Sequence, residues 1–276
     1  MRIGCHMSVA KGFAAMLRRA VDLDADVVQY FPKNPKSFRV RAFDKEAFAQ
    51  EAAKVQELDI ITVCHSPYVT NLSTPKPELR AVSIASIVND LEIADAYGTP
   101  YLVVHCGKHV GEGPEAGTAT MVEVLEEVLA RFEGKTQLLL ENTAGQGTEL
   151  GRTTDELLEI HTRLSTSERV GFCFDTCHAY AAGLLDFSRW DEVRAELGRP
   201  EFAAKVQVLH LNDSKMGYGA KRDRHALLGE GEIGDNLRLF LQSGLYADKP
   251  IVIETPVDAE EEYRDEIRKV RGWLAG

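Results

Sequence analysis

Short apolar runs recur along the chain, each followed by a longer stretch whose apolar residues return at helical spacing. The runs cover 2–6, 27–31, 60–65, 101–105, 137–141, 170–175, 206–210 and 250–254, which makes eight predicted strands. Between them, Met121, Val124, Leu125, Val128, Leu129 and Phe132 recur at i, i+3, i+4 and i+7, the pattern of one helical face. Phe13, Met16, Leu17 and Ala20 do the same, as do Leu157, Ile160 and Leu164, and Tyr263, Ile267, Val270 and Leu274. Thr153 with Glu156 predicts a capping box at the start of the Leu157 helix.

Strands that are apolar throughout must be covered on both faces. Eight of them alternating with helices predict a closed parallel TIM (β/α)8 barrel, at about 34 residues per unit. An open doubly wound sheet would more often carry a Gly-rich phosphate turn after the first strand, and no G-x-G-x-x-G stands there. No linker or charge block divides the 276 residues, so a single domain over 1–276 is expected. No run is apolar enough to span a bilayer, and MRIGCHMSV lacks the basic-then-apolar form of a signal peptide. A soluble, cytoplasmic protein is expected.

The chemistry lies where the runs stop. ITVC meets His65, YLVV meets His105, QLLL meets Glu141, GFCF meets Asp175, VQVL meets His210 and IVI meets Glu254, at intervals of 34 to 44 residues. A barrel gathers the C-terminal ends of its strands at one mouth, so this spacing predicts a common site. One histidine at a strand end is most often a cap, whereas six ligand types in succession point to metal. Two pairs add to them: Asp175-x-x-His178, and Asp223-x-His225 in the Gly-rich loop that follows His210. The nine residues are too many for one ion and suit two or three, with a carboxylate bridging. Such a site with open positions points to phosphoester hydrolysis. Its nitrogen-rich ligation favours zinc, with manganese or iron as the alternatives.

Composition complicates the choice of partner. The formal charge of -11 is unlike that of a nucleic-acid binder, but divalent ions among the acids would make the mouth locally positive. Basic residues also cluster near that mouth: Lys33, Lys36, Arg39 and Arg41 after the second strand, and Lys215, Lys221, Arg222 and Arg224 around Asp223. These are candidate phosphate contacts. His6 and His109 are expected to line the mouth, and His161 to lie on a helix surface. Five cysteines with no C-x-x-C spacing read as small packing residues, none a ligand.

IGCHMS, FPKNPKSF, HSPYVTNL, ENTAGQG, GFCFDTCHAYAAG, HLNDSK and DRHALLGEGEIG stand in this order along the chain. With them the sequence resembles the endonuclease IV family of apurinic/apyrimidinic endonucleases over nearly its whole length. The resemblance implies a three-zinc site on the nine residues. His65 and His105 would hold one ion, which Glu141 bridges to a second completed by Asp175, His210 and Glu254. His178, Asp223 and His225 would hold the third. It further implies hydrolysis of the phosphodiester 5′ to an abasic site in duplex DNA, by an intracellular, nucleoid-associated monomer, with Glu141 sharing or orienting the nucleophile. Tyr68 and Val69 stand at the family's wedge position, and Lys33, Lys36, Lys215, Arg222 and Arg224 would meet the DNA. Lys36 replaces an Arg and Cys106 a Pro of the family pattern. The rival reading is a single-metal sugar isomerase or epimerase of the xylose-isomerase-like barrels. It would use Glu141, Asp175, His210 and Glu254 and leave the other ligands idle.

Overall fold

The computed structural model describes residues 1–276. In chain order the elements begin β1 (Ile3–His6), α1 (Phe13–Asp22), β2 (Val27–Tyr30), α2 (Lys45–Ala53), β3 (Ile61–His65), α3 (Pro77–Ala96), β4 (Tyr101–His105) and α4 (Pro114–Arg131). They continue with β5 (Gln137–Glu141), α5 (Thr154–Thr162), β6 (Val170–Asp175), α6 (Thr176–Ala182), α7 (Trp190–Leu197), α8 (Pro200–Ala203) and β7 (Val206–His210). The chain ends with β8 (Asp213–Ser214), β9 (His225–Ala226), α9 (Asn236–Gln242), β10 (Ile251–Ile253) and α10 (Tyr263–Ala275). Eight strands close a parallel barrel in the order β1-β10-β7-β6-β5-β4-β3-β2. The short β8 and β9 pair antiparallel outside it and pin the base of the loop that carries Asp223. No helix is long and apolar enough to cross a membrane.

Two cores account for the closure. Val27, Val63, Val103, Leu139, Cys173, Val208 and Val252, one from each of seven strands, fill the barrel interior and are fully buried. The larger core lies between strands and helices and takes the opposite face of the same strands, as with Val28, Leu102 and Leu140. Burying each such side chain stabilises the fold by about 1.5–3 kcal/mol, which explains runs that are apolar on both faces. The first strand contributes Gly4 instead. A Cβ there would fall 1.6 Å from the Val27 carbonyl oxygen, so glycine alone lets β1 close against β2.

Side chains alternate across a strand, so the residue two beyond each interior position also points into the barrel, nearer its C-terminal mouth. That rule takes Val63 to His65, Val103 to His105, Leu139 to Glu141, Cys173 to Asp175, Val208 to His210 and Val252 to Glu254. It also takes Val27 to Gln29 and Gly4 to His6. At the helix of Leu157, Thr153 accepts from the Glu156 amide as expected, while Glu156 reaches the Arg152 amide rather than that of Thr153.

The loop after β4 is strained. Val110 has φ 48° and Gly111 φ 96°, in a turn closed by the Glu112 amide donating to the His109 carbonyl at 3.1 Å. Two successive left-handed residues suit Asn-Gly and not a β-branched side chain. Val110→Asn is expected to stabilise the protein by ~1 kcal/mol, raising the melting temperature by about 2–4 °C. A scanning-calorimetry melt at or below the wild-type value would contradict this.

Candidate metal centre

All nine sequence-predicted ligands meet at the C-terminal mouth. Their donor atoms fall into the groups His65–His105–Glu141, Glu141–Asp175–His210–Glu254 and His178–Asp223–His225, with the donors of each group within 4.8 Å of one another. Glu141 joins the groups. One of its oxygens lies 3.2 Å from His65 Nε2 and 3.0 Å from His105 Nε2. The other lies 3.1 Å from His210 Nδ1 and 3.2 Å from His178 Nδ1. Asp223 sits between His178 Nε2 at 3.3 Å and His225 Nε2 at 3.1 Å.

The far side of each ring decides which nitrogen is free. His65 Nδ1 donates to the Ser66 carbonyl at 2.7 Å, His178 Nδ1 to the Asn142 carbonyl at 2.9 Å and His225 Nδ1 to the Glu254 carbonyl at 3.1 Å. His210 is turned the other way, its Nε2 donating to Gln29 Oε1 at 2.7 Å. Each of these four rings is thereby held as the tautomer whose bare nitrogen faces the cluster, the usual arrangement around a ligated ion. His225 Nε2 is buried and off the hydrogen-bond line to Asp223, so it has no hydrogen-bond partner. A bare buried nitrogen of this kind, among four carboxylates and five imidazoles, fits divalent metal better than a closed polar network.

With no ion bound, the nitrogens that face the cluster take up protons instead. Burial penalises the Glu141 carboxylate, yet the charges of His105 and His210 and hydrogen bonds from His105 and His178 hold it well below the usual range. Burial also opposes charge on His225, but the adjoining Asp223 carboxylate, 3.1 Å away, and the charges of Asp175 and Glu254 lift it to about 9. For Glu254 burial is outweighed chiefly by His210, and its value falls to about 2. His225, raised from 6.5, stabilises the metal-free fold fully below pH 6.5 and loses that contribution as pH rises through about 9. Glu254, lowered from 4.5, contributes above pH 4.5 and loses it as pH falls through about 2. Chelator-treated protein is therefore expected to melt at lower temperature as pH is raised from about 7 to about 9.5, with the loss removed by zinc. A flat or rising metal-free profile would count against these assignments.

The family model described as a xylose isomerase-like TIM barrel matches residues 17–274. A protein of Symbiobacterium thermophilum named probable endonuclease 4 is 46% identical over 275 residues, covering 99% of this chain and 100% of the relative. The crystal structure of endonuclease IV from Thermus thermophilus superposes with a TM-score of 0.84 at 35% identity, covering 100% of this chain and 99% of that one. This chain belongs to the endonuclease IV family. A D-tagatose 3-epimerase-like protein, 18% identical with a TM-score of 0.72, shares the barrel alone.

Around the ligands, this endonuclease IV family member carries amide side chains that ligand-type reasoning passes over. Gln29 is fully buried and donates to Glu254 at 2.6 Å and to His6 Nδ1 at 3.1 Å while accepting from His210. Asn212 donates to Asp175 at 2.6 Å and Glu254 at 3.2 Å, and Asn142 accepts from the Asp175 amide at 2.7 Å. Gln29 was open to detection by the two-residue step from Val27. Asp213 accepts from the amides of Ser214, Gly229, Gly231, Ile233 and Gly234, fixing the GEGEIG loop behind His225.

Three side chains are placed otherwise than expected. Lys33 does not face solvent: its side chain is 5% exposed and its ammonium lies 2.9 Å from the fully buried Asp90, so it is engaged inside the protein. Arg41 likewise packs over the Phe48 ring at 5.1 Å and donates to the Pro32 carbonyl. His161 is buried against Phe172, because the helix turns that position toward the core. Lys36, Arg39, Tyr68, Lys215, Arg222 and Arg224 are exposed, and Val69 is half-buried beside Tyr68. His6 lies at the mouth, where burial lowers its pKa to about 4 and keeps it neutral. His109 accepts from the Gly113 amide at the start of α4. All five cysteines are free and buried. Cys177 lies near Asp175 and His225, but burial pushes its thiol up to about 12, which disfavours the thiolate a metal needs.

Proposed function

We propose that this protein is a metal-dependent nuclease that hydrolyses the phosphodiester 5′ to an abasic site in duplex DNA, leaving a 3′-hydroxyl and a 5′-deoxyribose phosphate. Three divalent ions, zinc by preference, would occupy the three donor groups. The observation that carries the reading is the division of the Glu141 oxygens between the His65/His105 pair and His210, with the His178–Asp223–His225 group complete beside them. A single-ion sugar isomerase needs only the Glu141, Asp175, His210 and Glu254 group and gives no reason for the other five ligands.

The chemistry such ions supply when bound is Lewis acidity, lowering the pKa of water and offsetting charge on phosphoryl oxygens and leaving group. The remaining work falls to the chain. Glu141 Oε2, between His65 and His105, accepts a hydrogen bond from the attacking water and orients it toward phosphorus. Gln29 and Asn212 hold His210, Glu254 and Asp175 in place, so little reorganisation is needed as charge develops. Tyr68 and Val69 enter the duplex at the gap, where no base has to be unpaired. Lys36, Arg39, Lys215, Arg222 and Arg224 meet the flanking phosphates. Three divalent ions against four carboxylates leave the mouth positive despite the charge of -11 overall. Such a substrate would place the protein at the nucleoid. The test is a labelled duplex with one abasic analogue: a single nick 5′ to the lesion is expected, and an uncut lesion or equal cutting of undamaged duplex would overturn the reading.

A further inference from the structure

α3 turns a polar face inward, with Ser83, Ser86, Asn89 and Asp90 all buried. Three of these positions hold the loop that follows β2. Lys33 lies 2.9 Å from Asp90 Oδ1 and donates to the Ser86 carbonyl at 2.8 Å. Asn89 forms a two-bond clasp on Arg41: the Arg41 amide donates to Asn89 Oδ1 at 2.8 Å, and Asn89 Nδ2 donates to the Arg41 carbonyl at 3.0 Å. The Arg41 guanidinium donates to the Pro32 carbonyl at 2.7 Å and closes the loop on itself. Segment 34–40 is thus tied at both ends to one helix, while Lys36, Arg39 and Val40 stay exposed.

The other side of the loop reaches the metal centre. The Tyr68 amide donates to the Pro35 carbonyl at 3.0 Å. The Phe31 ring meets Tyr68 edge-on at 5.1 Å and His65 at 5.4 Å, and Tyr68 stands 5.7 Å from the His65 ring and 5.9 Å from that of His105. A continuous line of contacts therefore runs from α3 through the loop and Tyr68 to two of the candidate ligands. The ion pair in it is a poor source of stability, since apolar residues of similar size often serve as well. Burial pushes the Asp90 carboxyl up to about 7 against the pull of Lys33, and neither Asp90 oxygen has an aligned hydrogen-bond partner. What the pair supplies is a single register for the loop.

We propose that Asn89 and Asp90 are positioning residues: acting through Arg41 and Lys33, they hold segment 34–40 and Tyr68 in the one arrangement in which a DNA duplex docks over the metal centre. The nature of the docked ligand rests on the nuclease reading, whereas the fixing of the loop does not. The test compares zinc-loaded wild-type protein with Asn89→Ala and with the double variant Lys33→Met/Asp90→Leu, which removes the pair without leaving a lone buried charge. Zinc content and hydrolysis of bis-p-nitrophenyl phosphate, a probe without the flanking nucleotides that would dock on segment 34–40, are expected to match wild type. KM for the abasic duplex should rise about tenfold or more while kcat changes less than about threefold. Amide hydrogen exchange should quicken at Tyr68 and across 34–40 and nowhere in the barrel strands. An unchanged KM, or retained protection at the Tyr68 amide, would overturn the proposal. Parallel losses on the small probe and the duplex, with a general fall in stability, would also overturn it in favour of a merely structural pair. Should wild-type protein nick no abasic duplex, the nuclease reading fails, and the exchange data still decide whether α3 fixes the loop.

Discussion

Glu141→Gln protein is expected to bind an abasic duplex within about tenfold of wild type yet nick it at least about a thousandfold more slowly. The substitution keeps size and shape. It removes the negative charge and converts one of two acceptor oxygens to a donor, and each of those oxygens now faces two imidazoles at 3.0 to 3.2 Å. Glu141 is the residue proposed to join two ions through its two oxygens, so zinc content should fall as well. The rim residues proposed to meet phosphate lie away from this change and should preserve binding. Wild-type cutting by the variant would remove Glu141 from the reaction.

Stripping the metal should have a comparable effect. Without ions, four carboxylates and five imidazoles are left to neutralise one another, and the protons that do so occupy the nitrogens a metal requires. Nicking after dialysis against a strong chelator is expected to fall by about ten-thousandfold or more, and zinc should restore it. Magnesium, which prefers six oxygen ligands, should not. Duplex affinity should also weaken as the mouth loses its positive charge, and more steeply at low salt. Cutting that survives chelation would mean the nine residues serve some other purpose.

Most of the centre was legible in the sequence for a physical reason. Parallel barrel strands are apolar on both faces, so a His, Asp or Glu at the end of such a run is conspicuous, and the barrel brings these ends together. The strands themselves came out within a residue of their observed bounds, Glu254 lying just beyond β10. Gln29 escaped because an amide is not a ligand type, although its place two residues past Val27 puts it in the same inward layer. The helix α3 escaped because its faces are not set apart: Ile84, Ile87 and Leu91 keep helical spacing, but Ser86, Asn89 and Asp90 are buried with them while Leu79 and Val82 stand exposed. The same omission explains Lys33. In a loop rich in basic residues it reads as a phosphate contact, and only the fold shows the buried carboxylate that claims it.

The function proposed for this barrel depends on several cations sharing one pocket, and the amount of zinc bound per chain tests that most directly. Protein stripped with a chelator, reloaded with excess zinc and freed of loose metal should retain about three ions per chain by elemental analysis, with the third lost in Asp223→Ala. About one ion per chain, unaffected by Asp223→Ala, would contradict the shared pocket and return the barrel to the single-metal isomerases.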